Sequence, residues 1–86
     1  MFYVYVLQNI NDPEDFYLGC TPDLKRRFDD HSSGKVYSTR NKKWRLVYYE
    51  AYVSKSFAFQ RESALKNNAR MKRFLMDRIK SSLEII

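Results

Sequence analysis

Several residue types are scarce in this sequence, and each scarcity excludes a class of protein. A single cysteine, Cys20, excludes an internal disulfide and a cysteine-based zinc cluster, and it fits a reducing, cytoplasmic location. Two glycines and two prolines leave little material for a flexible linker. The uninterrupted apolar runs are short, so none is expected to span a bilayer. The N-terminal segment has no basic stretch and no small-residue cleavage site, so we expect no signal peptide.

The composition is that of a folded domain with an excess of positive charge. The chain has 86 residues, of which 44% are hydrophobic, and we expect a single domain over residues 1–86. Sixteen Lys and Arg against ten Asp and Glu give a formal net charge of +6, which attracts polyanions such as nucleic acid. Such an excess also occurs where lysine only maintains solubility. Motifs have to decide between these interpretations.

The N-terminal quarter of the chain predicts a β-hairpin. Residues 2–7 are rich in aromatic and β-branched side chains, which favour a strand. Residues 9–13 contain Asn, Asp and Pro, which are typical of a turn, and residues 15–20 predict the second strand. Alternation along the first strand places two sets of side chains on opposite faces of the sheet. These sets are Phe2, Val4 and Val6, and Tyr3, Tyr5 and Leu7.

The register of this hairpin decides whether two of its tyrosines meet. If Gln8 pairs with Glu14, Tyr5 lies opposite Tyr17. Shifting that pairing by an even number of residues keeps both tyrosines on one face, and an odd shift separates them.

A helix and a basic loop are predicted to follow the hairpin. Thr21 as N-cap and Pro22 at the first helical position form a strong helix start, and Gly34 favours an end close by. Residues 35–43 then predict an exposed basic loop.

The rest of the chain predicts a third strand and two more helices. The strand covers residues 44–53, and Ser54 can cap a helix over residues 55–66. A further amphipathic helix covers residues 69–83, with Met71, Leu75, Ile79 and Leu83 on one face. The order β-β-α-β-α-α predicts an α+β fold, with a small, mostly antiparallel sheet flanked by about three helices.

Three polar side chains could carry chemistry on these helices. Arg27 borders the apolar stripe of the first helix and could hold a phosphate, or it could form an ion pair with Asp23. His31 could assist in the same cleft or could be a partly buried histidine at a helix end. Glu62 borders the apolar stripe of the second helix and could bind Mg²⁺, or it could pair with Lys66 on the surface.

The order and spacing of several short motifs resemble the GIY-YIG nuclease superfamily, and in particular its small, single-domain UPF0213-type branch. The motifs are Tyr3-Val4-Tyr5, Tyr17-Leu18-Gly19, Thr21-x-Asp23-Leu24-x-x-Arg27-x-x-x-His31, Leu46-Val47-Tyr48-Tyr49-Glu50 and Ala58-x-x-x-Glu62-x-x-x-Lys66. The family's leading glycine is replaced by Tyr3, whose ring could narrow the approach to Tyr5.

The resemblance implies an activity and a role for each of five residues. The fold would be a three-stranded antiparallel sheet with helices, and the activity would be divalent-metal-dependent hydrolysis of DNA, in repair or recombination. Glu62 would ligate a single Mg²⁺ or Mn²⁺ ion, and Arg27 would contact the scissile phosphate. Tyr5 would act on the attacking water as a base or by positioning it, Tyr17 would support it, and His31 would assist.

Two alternatives to a nuclease remain open at this stage. The first is a nucleic-acid-binding module with little or no cleavage activity, and the second is a protein-interaction domain whose basic face is incidental. In both nucleic-acid interpretations the partner is DNA, with branched and nicked forms as candidates, and neither a membrane nor a required protein partner is indicated. The residues expected to contact phosphates are Lys35, Arg40, Lys42, Lys43, Lys66 and Arg70.

Overall fold

The computed structural model describes residues 1–85 and contains three strands and three α-helices. The elements follow the predicted order β-β-α-β-α-α, which confirms the α+β fold. Their bounds are β1 Phe2–Asn9, β2 Asp12–Thr21, α1 Leu24–Ser32, a 3₁₀ turn Tyr37–Thr39, β3 Trp44–Tyr52, α2 Lys55–Asn67 and α3 Ala69–Ile85. No helix within residues 1–85 combines the length and the apolar character that a membrane crossing requires.

The first strand is the centre of the sheet and has antiparallel neighbours on both sides, in the order β2-β1-β3. Its alternating side chains therefore serve two different layers, as the sequence predicts. Val4 and Val6 pack against Ala58 and Leu65 of α2 and the apolar side of α3. Tyr5 and Leu7 face the other way, where α1 packs over them.

Helix α1 begins two residues later than the sequence predicts. Its N-cap is Asp23, whose carboxylate accepts a hydrogen bond from the backbone nitrogen of Arg26 at 3.1 Å. Thr21 is the last residue of β2, and its hydroxyl accepts from the nitrogen of Asp23 at 3.1 Å. Both side chains can cap a helix, and the one nearer the first turn does so. The predicted end is confirmed, because Gly34 follows the helix with φ +78°.

A half-buried ion pair links β3 to α2 on the core side of the sheet. The Nε and Nη2 atoms of Arg61 donate to the two carboxylate oxygens of Glu50 at 2.8 Å each. The hydroxyls of Tyr48 and Tyr52 donate to the same carboxylate. Burial opposes ionisation, but hydrogen bonds from Arg61 and the two tyrosines outweigh it and lower the pKa of Glu50 from 4.5 to about 2.

We predict that Glu50 makes the stability of the fold sensitive to acid. Because its pKa is lower in the folded state, its contribution is complete above about pH 4.5 and is lost as the pH falls towards 2. The shift corresponds to about 3 kcal/mol at neutral pH. Urea unfolding of a Glu50→Gln variant should show lower stability at pH 7 and a smaller loss between pH 7 and 3 than the parent chain. Glu14→Gln, which changes a carboxylate that is 71% exposed, should resemble the parent.

Candidate active site

A buried hydrogen bond between Tyr5 and His31 lies under helix α1. The Tyr5 hydroxyl and the Nε2 atom of His31 are 2.7 Å apart, and each residue is only 1% exposed. Tyr5 comes from the central strand and His31 from the last turn of α1, 26 residues later. Phe28 and Leu24, one and two turns earlier on the helix, pack against the same cluster. The apolar stripe of α1 therefore sets the position of the imidazole.

Gly19 makes room for the Tyr5 ring. The two residues are partners in the β1–β2 register, so the ring lies across the glycine. A Cβ atom on Gly19 would lie 2.9 Å from Cε1 of Tyr5 and closer still to its hydroxyl oxygen. A side chain at this position would therefore push Tyr5 away from His31.

Tyr17 lies on the same face as Tyr5, although not in the predicted register. Leu7 is its partner across the strands, in place of Tyr5. An irregularity in the pairing between Gln8 and Asn9 produces this shift of two residues. Residues 13–15 of β2 are the extra residues at this irregularity. Gln8 Nε2 donates to the carbonyl of Pro13 at 3.1 Å. Because the shift is even, the two tyrosines stay together, with ring centroids 6.4 Å apart.

The Tyr17 ring is packed edge-on between two other rings. Its centroid lies 4.8 Å from that of His31 and 6.4 Å from that of Trp44. Tyr17 is half-buried, whereas Tyr5 is fully buried, so Tyr17 is the more accessible of the two phenols.

Arg27 adds a positive charge at the two phenols. Interaction with the Tyr5 hydroxyl raises the pKa of the Arg27 guanidinium, and Tyr17 adds to the effect. The ion pair with Asp23 is not formed in the described part of the chain, where the Asp23 carboxylate caps α1 instead. The guanidinium is consequently directed to the tyrosine cluster.

Burial and charge keep both Tyr5 and His31 neutral near pH 7. Burial is the largest effect on Tyr5 and raises its pKa to about 12, although Arg27 partly opposes this. Burial also lowers the pKa of His31, and the positive charge of Arg27 lowers it further. The hydrogen bond therefore joins a phenol to an uncharged imidazole.

Thr39 fixes the direction of this hydrogen bond, and sequence reasoning missed it. The Thr39 hydroxyl lies 2.7 Å from Nδ1 of His31 and donates to the carbonyl of Val36 at 3.3 Å. A hydroxyl has one proton, so it accepts from Nδ1–H and leaves Nε2 to accept the phenol proton of Tyr5. The indole of Trp44 donates to the Thr39 carbonyl at 2.9 Å and holds the turn in place.

Nothing in the local sequence indicated this role for Thr39. It lies within the segment predicted to be an exposed basic loop, yet it is fully buried. A threonine in a charged loop carries no spacing signal, and only the path of the chain past His31 reveals it.

Glu62 forms its predicted ion pair and also lies near the tyrosine cluster. Its Oε2 atom is 3.4 Å from Nζ of Lys66, and its side chain is 18% exposed. Its negative charge contributes to the raised pKa values of both Tyr5 and Cys20. The carboxylate therefore meets Lys66 and also acts electrostatically on Tyr5.

The residues predicted to contact phosphates are all exposed but do not form a single patch. Lys42 forms an ion pair with Asp15 at 2.9 Å, and the guanidinium of Arg40 lies over the ring of Tyr37. Arg70 belongs to α3, which packs on the opposite face of the sheet from His31. The exposed set is Lys35, Arg40, Lys42, Lys43, Lys66 and Arg70.

We predict that Gly19→Ala disrupts the Tyr5–His31 pair. The added methyl group has to displace a fully buried ring, which should cost about 1–3 kcal/mol of unfolding free energy. Urea unfolding gives the loss, and the NMR shifts of the His31 ring report whether the contact with Tyr5 is broken. In a Tyr5→Leu background the same substitution should cost less, since the clashing ring is gone. An equal loss in both backgrounds would contradict this explanation.

Comparisons with known proteins show the family to which the chain belongs. The family model described as the GIY-YIG catalytic domain matches residues 1–74. A UPF0213 protein of Natronomonas pharaonis is 37% identical over 73 residues, which cover 83% of this chain and 84% of that protein. The structure-specific endonuclease subunit SLX1 of Debaryomyces hansenii is 35% identical over 74 residues, covering 74% of this chain but 21% of that subunit.

A solved structure shows the same fold. The solution NMR structure of the UPF0213 protein BH0048 from Bacillus halodurans superposes with a TM-score of 0.56 at 34% identity, covering 93% of this chain and 86% of that one. The family model spans most of the chain, and a relative above the 30% level of identity is matched over most of its length. This chain therefore belongs to the GIY-YIG nuclease family, among its UPF0213-type members.

Proposed function

We propose that this protein is an endonuclease that hydrolyses phosphodiester bonds of DNA with the help of a divalent metal ion. The observation that carries the proposal is the buried hydrogen bond between Tyr5 and neutral His31, with Arg27 beside it. This arrangement offers a route for a proton and a fixed positive charge in one place. Both are needed when water attacks a phosphodiester.

The proton route starts at Tyr5. A phenol with a pKa of about 12 cannot act as a base at neutral pH while it keeps its own proton. Nε2 of His31 accepts that proton as the Tyr5 oxygen takes one from the attacking water. The water then forms the new P–O bond as hydroxide, and the bond to the leaving oxygen breaks. The leaving oxygen takes a proton from solvent. The site is restored when Tyr5 releases to solvent the proton it took from the water and His31 returns its own proton to Tyr5.

Arg27 and Tyr17 are the more accessible members of the cluster and are placed to meet the phosphate. The guanidinium offsets the negative charge that builds up on the non-bridging oxygens in the transition state. Tyr17 can donate its phenol proton as a hydrogen bond to one of these oxygens. Tyr5, fully buried behind them, acts on the water.

Glu62 is the residue that would hold the metal ion. Mg²⁺ and Mn²⁺ prefer oxygen ligands, and Mg²⁺ keeps several waters, so one protein carboxylate at the rim of the cluster fits such an ion. Within residues 1–84, no three His, Cys, Asp or Glu side chains are grouped as a larger ligand set. When bound, the ion supplies Lewis-acid stabilisation of the phosphate. Glu62 has to exchange its contact with Lys66 for this role.

We further propose branched or nicked DNA as the substrate, with a place in repair or recombination. The support is the similarity to a subunit named as part of a structure-specific endonuclease. The exposed basic side chains of the 35–43 loop supply attraction for the backbone but no means of reading a sequence.

The proposal predicts that cleavage requires both Glu62 and Tyr5. Supercoiled plasmid, nicked duplexes, flaps and junctions are incubated with Mg²⁺ or Mn²⁺, and products are separated on gels. Glu62→Ala and Tyr5→Phe should each lower the rate by about 10²–10³-fold, because each removes a group that acts in the transition state. Chelation of the metal should abolish cleavage.

One control variant makes this experiment decisive. Glu14→Gln removes an exposed carboxylate of β2 and should cleave at the parental rate. Full activity in clean preparations of both Glu62→Ala and Tyr5→Phe would show that the assignment is wrong.

The proton route also predicts a pH dependence that Thr39 controls. His31 must be neutral to accept a proton, so the rate should fall as the pH drops through its pKa, which lies below the ordinary 6.5. Thr39→Val leaves Nδ1–H without an acceptor and favours the tautomer that cannot accept from Tyr5. It should lower kcat with little change in KM and alter the acid limb of the pH profile.

Thr39→Ser is the matched variant, because it keeps the hydroxyl and should retain the parental pH profile. If Thr39→Val and Thr39→Ser have the same profile as the parent, the hydroxyl has no part in orienting His31.

A second candidate function is nucleic-acid binding with little or no cleavage. The pKa of about 12 at Tyr5 favours it, because a phenol that retains its proton binds without activating water. Binding of DNA that weakens steeply with salt, with no product on any substrate or metal, would support this function instead.

A further inference from the structure

An open groove of about 610 Å³ lies between α1 and the sheet, next to the Tyr5 cluster. From the sheet, Tyr3, Leu46 and Tyr49 line it, and from the start of α1, Pro22, Leu24 and Phe28. The charged residues of the lining are Asp23 and Lys25. The Asp23 carboxylate is already engaged as the cap of α1, whereas Lys25 is exposed. The groove is thus mainly aromatic and apolar.

This groove lies beside Tyr5 on the β3 side of α1, whereas Arg27 lines a separate hollow with Thr21 and Asp30. Tyr49 is the direct partner of Tyr5 across the β1–β3 register, and Tyr3 lies two residues from Tyr5 on the same face. A ring bound in the groove therefore lies next to the strand position of Tyr5. The ring of Tyr3 does not stack on Tyr5 but packs edge-on against Tyr49, with centroids 6.0 Å apart at 66°.

The Tyr49 ring is exposed inside the groove. It is 55% exposed, and its one aromatic neighbour in the described residues, Tyr3, meets it edge-on. An edge-on contact leaves ring surface free for another flat partner. The surrounding charge of the chain, +6 overall, favours a partner that is itself anionic.

We infer that this groove binds one unpaired nucleobase of the DNA substrate, stacked on Tyr49. The inference rests on the proposed function and adds to it the kind of DNA that is recognised. A nucleobase is flat and attached to an anionic backbone, so it satisfies the aromatic ring and the positive charge together. A paired base inside a duplex already has both faces covered by its neighbours, so only an unpaired or extruded base can stack here.

The test uses 2-aminopurine, a fluorescent base whose emission is quenched when it stacks. It is placed in a short single-stranded flap, at a series of positions around the branch, and in a fully paired duplex of the same sequence. The intact chain is titrated into each probe without divalent metal, so that binding is followed apart from cleavage. One unpaired position should be quenched, and the paired probe should not be.

The variants separate stacking from general attraction. Tyr49→Leu should lose the quenching and bind the flap about 5- to 100-fold more weakly, while Tyr49→Phe and Tyr49→Trp should keep both. Tyr37→Leu is the matched control, because Tyr37 is 83% exposed and lies outside the groove. It should leave the quenching unchanged. Circular dichroism checks that each variant is folded.

Each remaining outcome is decisive. Binding of the flap by the parent without quenching at any position would overturn the inference. Unchanged affinity of Tyr49→Leu for the flap would also overturn it and would assign the groove to another occupant such as a peptide. If the parent chain still cleaves DNA with a divalent metal after either of these results, the proposed function holds and only the stacked base is ruled out. If quenching occurs but no metal or substrate gives a product, stacking stands and the nuclease proposal fails. Absence of any DNA binding would overturn both.

Discussion

The hydrogen bond between the Tyr5 hydroxyl and His31 is the interaction on which the candidate active site depends. It joins the central strand to the last turn of α1, and both partners are almost completely removed from solvent. A buried hydroxyl or imidazole without a partner would be costly, so each fixes the position of the other. Gly19 below the ring and Thr39 beyond the imidazole allow no simple alternative arrangement.

The sheet divides stability and chemistry between its two faces. On β3, Glu50 points to the core side and holds Arg61 of α2, whereas the preceding residue, Tyr49, points to the groove beside Tyr5. The ion pair on one face keeps the edge strand in place, and the other face can therefore leave an aromatic ring exposed. Alternation along a strand makes this division automatic.

Much of the fold could be predicted from the sequence because local signals were strong. Alternation separated Val4 and Val6 from Tyr5, and the Ser54 cap and the apolar spacing of α3 predicted two helices within a few residues. The start of α1 was wrong because Thr21 and Asp23 are both good capping residues, and only the end of β2 decides between them. The sequence left the hairpin register open, because a strand irregularity has no clear sequence signal, and Gln8 pairs with Phe16, two residues from Glu14.

Only part of the candidate site could be predicted from the sequence in the same way. Four predicted site residues do come together: Tyr5, Tyr17, Arg27 and His31. An even register shift keeps the two tyrosines on one face of the sheet, and helix periodicity places the other two on the side of α1 that faces them. The buried role of Thr39 and the groove at Tyr49 depend on how a loop and an edge strand pass the cluster, and no residue pattern encodes these paths.

The irregularity in β2 also separates the tip of the hairpin from the rest of the molecule. The extra residues lie between the Asn9–Asp12 pair at the tip and the Gln8–Phe16 pair, before regular pairing resumes. A change in the number of residues at the tip can be accommodated there without changing the pairing of Tyr5 with Gly19. A longer or shorter turn can therefore be accommodated at this end of the hairpin, whereas the β1–β2 pairing shows no such irregularity at the opposite end, where β2 leads into α1.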